Sequence, residues 1–164
     1  MSSFDITSTI DLQEVDNAVN QARKEIAQRY DFKGSKAAID FSRTESTLTL
    51  TADDEFKMTA LMEVLETRLV RRSVAVKNLK KGEIERGAND TVRKVITLQQ
   101  GIPTDASREM VKFLKERKLK KVQAAIQADQ VRISSPSRDE LQTAMGLLRE
   151  QDFGVALQFG NYRD

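Results

Sequence analysis

The chain has 164 residues, a net charge of +2, 39% hydrophobic and 32% charged residues, no Cys, no His and no Trp. That composition describes a water-exposed globular protein. It excludes disulfides, Cys/His zinc sites and every nucleophile pair built on imidazole. The start, Met1 to Ile6, lacks a basic region followed by an apolar core, and no apolar run approaches the ~18 residues of a membrane span. A cytoplasmic location with no membrane association is expected.

The elements follow from periodicity. Phe4, Ile6, Ser8 and Ile10 alternate with polar residues, which predicts a strand. Asp11 is an N-cap candidate, and Leu12, Val15, Val19, Ala22 and Ile26 predict a helix over 12–29. Lys33-Gly34-Ser35 breaks it. Ala37, Ile39 and Phe41, then Leu48, Leu50 and Ala52, alternate around a polar turn and predict a hairpin. Asp53 and Asp54 precede a strongly amphipathic helix over 55–71, and Val74, Val76 and Leu79 predict a short strand.

The order then repeats. Val92, Lys94, Ile96 and Leu98 share one strand face, with Val95 on the other. A helix over 106–118 follows Pro103, a hairpin covers Val122–Ile133, Ser137 caps a further helix, and Val155, Leu157 and Phe159 predict a last strand. This βαββαβ order, written twice, predicts an α+β tandem of ferredoxin-like domains, each a four-stranded antiparallel sheet with two helices on one face. The expected boundaries are 1–80 and 91–164, with 81–90 as linker. Periodicity leaves open an exchange of the first strand between the halves.

The modest net charge hides an asymmetry: Arg71–Lys121 carries +9 and the remainder −7. A basic middle favours anionic partners. One candidate site is Arg29-Tyr30-Asp31-Phe32-Lys33-Gly34. There Arg29 and Lys33 offer phosphate contacts and Phe32 a stacking face, against a packing role for the aromatics. A second is the set Arg71, Arg72, Lys80, Lys81, Arg86, Arg93 and Lys94 between the halves, where a ligand cleft is expected. A third is the stripe Arg108, Lys112 and Lys115, at i, i+4 and i+7 of one helix, as in nucleic-acid footprints, or else a solvated face. Arg138, at a capped helix start, is a fourth phosphate candidate. No GxxxxGK[ST] or GxGxxG loop is present, and the aromatic strand signature of an RNA-recognition motif is missing. No catalytic residue, metal ligand or cofactor is indicated, so a binding protein is expected rather than an enzyme.

Several runs occur together in a recognisable order: Ser3-Phe4-Asp5-Ile6, Asp11-Leu12-Gln13-Glu14, Tyr30-Asp31-Phe32-Lys33-Gly34 and Gln100-Gly101-Ile102. Ser137-Arg138-Asp139-Glu140-Leu141-Gln142, Leu157-Gln158-Phe159 and Asn161-Tyr162-Arg163-Asp164 complete the series. With these the chain resembles the YajQ family of bacterial nucleotide-binding proteins over its whole length. The resemblance implies RNP-like domains and a guanine nucleotide or cyclic dinucleotide as ligand, cyclic di-GMP and GTP among them. It also implies RNA such as tRNA as an alternative ligand, and a regulatory partner such as a transcription regulator. It implies no catalytic residue and assigns no ligand contact.

Overall fold

The computed structural model describes residues 1–164. In chain order it holds β1 (Ser2–Thr7), α1 (Leu12–Gln28), β2 (Ala38–Ser42), β3 (Thr47–Ala52), α2 (Glu55–Arg71), β4 (Leu79–Lys81), β5 (Glu85–Arg86) and β6 (Val92–Leu98). There follow α3 (Thr104–Glu116), β7 (Gln123–Gln127), β8 (Gln130–Ser135), α4 (Arg138–Glu150) and β9 (Gln158–Arg163). The chain forms two compact units, one of residues 10–99 and one of residues 1–9 with 100–164.

In the first of these the strand order is β2-β3-β6-β4, all antiparallel, with the short β5 also paired to β6. Val15, Val19 and Ala22 of α1 and Leu61, Leu65 and Leu69 of α2 close over Leu48, Leu50 and Ile96 of the sheet. In the second unit the order is β7-β8-β1-β9, again antiparallel, and Phe4, Ile6, Val131 and Ile133 meet Met110 of α3 and Leu148 of α4. Each unit is ferredoxin-like: four main strands with two helices on one face.

The partition of the strands differs from a simple cut at 81–90. β1 pairs with β8 and β9 in the later unit, and β6 pairs with β3 and β4 in the earlier one. The first strand of each repeat therefore completes the other repeat's sheet. Segment 81–90 is a return along β6 rather than a linker: the Gly82 amide donates to the Val95 carbonyl at 2.8 Å, Glu85 faces Arg93, and the Gly87 amide donates to Thr91 O at 2.8 Å. The predicted Val74–Leu79 strand shrinks to β4. Ser73 enters the left-handed region at φ 61° and ends α2, and Val76–Asn78 forms a 3-10 turn. The final strand begins later than its apolar alternation suggested, because Val155 lies buried in a loop.

The caps behave as their residue types require. Asp11, Asp54 and Ser137 accept backbone N–H bonds at the starts of α1, α2 and α4. Asp53 and Asp54 thus serve loop and helix rather than an acid–base pair.

One buried carboxylate stands apart. Asp5 alternates with Phe4 and Ile6 along β1, so it faces away from the helices, yet it is only 7% exposed. Arg132 donates to it through Nε at 2.8 Å and Nη2 at 3.3 Å, and Asn161 donates at 2.5 Å across a register shift between β1 and β9. Asn161 reaches it from the left-handed region, φ 54°, where Asn is tolerated. The Arg132 hydrogen bond, ahead of the smaller contributions of Asn161 and Arg163, holds the Asp5 carboxyl below the usual carboxylate range despite its burial. A depressed folded-state value contributes stability above the unfolded value of about 3.9, and that stability is lost as pH falls through the folded value. Melting curves of Asp5→Asn should therefore lie below wild type at neutral pH and converge with it on acidification below about pH 4. Parallel curves down to the lowest pH would remove Asp5 from the acid response.

Candidate nucleotide site

The site is built around the loop after α1. The helix ends at Gln28, and Tyr30–Phe32 forms a single 3-10 turn. Phe32 turns inward and is only 4% exposed, with Arg29 and the Lys57 ammonium each 5.3 Å from its ring centre. Its ring is thus an anchor covered by cations rather than the free stacking face expected from the sequence. Tyr30 is the exposed aromatic of the run, 87% accessible. Nothing in the local pattern distinguishes the two aromatics in advance.

Arg29 is likewise engaged. It forms a two-point contact with Asp31, at 3.0 and 2.7 Å, and reaches Glu25 at 3.4 Å. These bonds raise the Arg29 guanidinium and lower the Asp31 carboxyl, the Arg29–Asp31 hydrogen bond being the largest cause for both. Lys57 donates to the Asp31 carbonyl.

Gly34, at φ 74°, turns the chain into a tightly held segment. The Ser35 hydroxyl bonds Asp53, the Lys36 amide donates to the same carboxylate at 3.1 Å, and the Ala37 amide donates to Ser35 Oγ at 3.1 Å. Ser35 and then the Lys36 amide keep the Asp53 carboxyl low. The Lys36 side chain crosses to donate to the Asn89 carbonyl at 2.9 Å. It therefore ties this segment to the 86–91 turn.

That turn is itself compact. Asn89 and Asp90 are both left-handed, and Thr91 Oγ1 donates to the Ala88 carbonyl at 2.6 Å. A Cβ at Gly87 would lie 2.5 Å from the Thr91 hydroxyl, so only glycine allows this approach.

Two clefts flank the loop. The first, about 620 Å³, lies on the sheet face away from the helices. Thr49 and Thr51 form its floor, Lys36, Arg86 and Arg93 are its cations, and Thr91 and the 87–89 backbone close one side. Arg93 keeps only a long 3.9 Å contact to Glu85, with both side chains half exposed or more. The second cleft, about 580 Å³, runs between α1 and the edge strand β2, with Ile26, Ala27, Phe32 and Ala38 as apolar walls and Arg23 and Lys33 as cations. Arg23 covers the open strand edge by donating to the Ile39 carbonyl at 3.1 and 2.5 Å.

The predicted residues separate. Arg93 enters the first cleft, and Phe32 and Lys33 line the second. Lys94, next in sequence to Arg93, pairs with Leu50 on the helix-covered face, because alternate residues of a strand point oppositely. Arg71 is exposed at the end of α2, and Arg72 caps that helix and reaches Glu14 at 3.4 Å. Arg108, Lys112 and Lys115 form an exposed stripe on α3, in the other unit. Arg138 pairs with Asp164 at 2.7 Å.

Lys36, Asp40, Thr49 and Thr51 were not singled out from the sequence. The threonines had a readable signal: in Thr47-Leu48-Thr49-Leu50-Thr51 the leucines claim one face, which leaves three hydroxyls on the other. No group of three or more His, Cys, Asp or Glu side chains is placed to hold a metal ion. No helix is long and apolar enough to cross a membrane.

Comparison with known proteins agrees with the resemblance. The family described as "Nucleotide-binding protein YajQ-like" matches residues 2–163. A nucleotide-binding protein of Magnetococcus marinus is 50% identical over 164 residues, covering all of both chains. Nucleotide-binding proteins of Acidithiobacillus ferrooxidans and Trichlorobacter lovleyi are 48% and 46% identical, also over the full length of both chains. The chain belongs to the YajQ-like family of nucleotide-binding proteins.

Proposed function

We propose that the protein is a non-catalytic nucleotide-binding regulator whose ligand is a guanine nucleotide or cyclic dinucleotide, cyclic di-GMP or GTP. The observation that carries this reading is the first cleft. Lys36, Arg86 and Arg93 surround a floor of threonine hydroxyls in about 620 Å³, a volume within the ordinary range for small-ligand sites. Cations with hydroxyl and amide donors are the groups that bind phosphate. The site is preorganised, since Asp53 fixes the Lys36 backbone and the 86–91 turn is closed on itself. Binding then orders few groups and retains more of its gross energy.

Calorimetric titration with cyclic di-GMP, GTP and bulk tRNA at two salt concentrations tests this. Saturable nucleotide binding that changes little with salt is the expected result. Absence of heat with both nucleotides would reject it.

A second reading is favoured by α3. Arg108, Lys112 and Lys115 are all exposed, and no acidic side chain pairs with any of them. Arg117 differs, lying over the Phe113 ring at 4.3 Å. Three unpaired cations along one helix suit the phosphates of an RNA strand. If RNA binds there, replacing Lys112 and Lys115 with Ala should flatten the plot of log affinity against log salt by roughly 1.4, from about 0.7 per single-strand phosphate contact. An unchanged slope would reduce the stripe to a solvated helix face.

A further inference from the structure

The two clefts beside the loop share one residue, Asp40 of the edge strand β2. It faces Thr49 across the β2–β3 ladder and is exposed. Its neighbours in the clefts are cationic, yet its carboxylate takes part in no hydrogen bond or ion pair. The reason lies in what those cations do instead. Arg23 is held by the Ile39 carbonyl, Lys36 by the Asn89 carbonyl, and Arg93 leans toward Glu85. An acceptor is thus left free at the boundary between a cation-lined cleft and an apolar-walled one.

We propose that Asp40 reads the base of the bound nucleotide and selects guanine. The inference rests on the phosphate site proposed above: phosphates in the first cleft, base toward the Ile26, Ala27, Phe32 and Ala38 walls of the second. A carboxylate offers two acceptor oxygens and no donor. Guanine presents two adjacent donors on one edge, N1–H and the 2-amino group, and satisfies both oxygens at once. Adenine and cytosine set a ring-nitrogen acceptor beside a single amino donor, which turns a lone pair against the carboxylate. Uracil places its one N–H between two carbonyls, with the same conflict. A polar group left unpaired in a binding site rejects the wrong ligand more strongly than lost apolar contact does.

The test follows from the same donor and acceptor pattern. In Asp40→Asn the side chain offers one acceptor and one donor, which matches xanthine, whose N1–H lies beside a 2-carbonyl. Binding of GTP, inosine triphosphate, xanthosine triphosphate and ATP is measured for wild type, Asp40→Asn and Arg93→Ala, with circular dichroism confirming the folded state.

Wild type should prefer GTP, bind the inosine analogue less tightly for want of the 2-amino group, and bind ATP least. Asp40→Asn should lose GTP affinity by about ten- to a hundredfold, the range for a charged hydrogen bond, and gain affinity for the xanthosine nucleotide. Arg93→Ala should weaken all four alike. A GTP-to-xanthosine preference unchanged by Asp40→Asn would overturn the assignment of Asp40 while leaving the phosphate site standing. Failure of wild type to bind any guanine nucleotide, cyclic di-GMP included, would overturn both.

Discussion

Phe4→Ala should destabilise the unit formed by residues 1–9 and 100–164 by about 3–5 kcal/mol, as large aromatic deletions from a packed core do. Phe4 is fully buried and lies in the same core as Ile133 and Met110. Its ring also meets Phe159 at 5.9 Å and Tyr162 at 6.3 Å. Phe4 belongs to β1, one of the two inner strands of the β7-β8-β1-β9 sheet. Hydrogen exchange should therefore accelerate first at 130–135 and 158–163, more than a hundred positions along the chain from the substitution, while the amides of 38–52 keep their protection. Equal loss in both sheets, or loss confined to 38–52, would contradict the strand pairing.

The second large effect concerns affinity. Removing the Lys36 and Arg93 side chains together should weaken nucleotide binding by roughly 3–6 kcal/mol, from about 1.5–3 kcal/mol for each charged hydrogen bond. That is a rise in Kd of roughly a hundredfold to ten-thousandfold. The fold should tolerate the change, because both side chains sit at the surface of the cleft and neither joins the apolar core. Lys94→Ala is the matched control. It removes one positive charge, as Arg93→Ala does, one residue away on the opposite face of β6, and should leave Kd within about twofold. Comparable losses in Lys94→Ala and Arg93→Ala would mean that overall charge, not the cleft, governs binding.

Much of the architecture was legible because apolar spacing alone sets it. The leucines of 48–50 and the 61, 65 and 69 ridge of α2 define their faces without tertiary information, and Asp11, Asp54 and Ser137 mark their helix starts by chemistry. Strand partnership was not legible. β1 and β6 carry similar alternating patterns, and either fits the place beside β3 or β8; the choice depends on long-range packing that local spacing does not encode. The candidate site was legible only in part for a related reason. Charge and aromatic content drew notice to Arg29 and Phe32, but Asp31 engages the first and the core takes the second. The cleft is instead lined by a lysine held by a serine–aspartate loop and an aspartate on an edge strand, residue types too common to stand out before the sheet brings them together.

The pairing of β1 also bears on how the chain is made. Asp5 and its partner Arg132 are 127 positions apart, and Asn161, which completes the contact, is 156 positions from Asp5. At about 5–20 residues per second of translation, β1 leaves the ribosome roughly 6–25 s before the strand it must join. The 10–99 unit, by contrast, has all its strands by Leu98. Synthesis thus imposes an order, with the inserted unit free to fold early while an apolar strand of Phe4 and Ile6 waits unpartnered. Until β8 and β9 are made, β1 has no strand to pair with, so the unit of residues 1–9 and 100–164 closes only after nearly the whole chain has been synthesised.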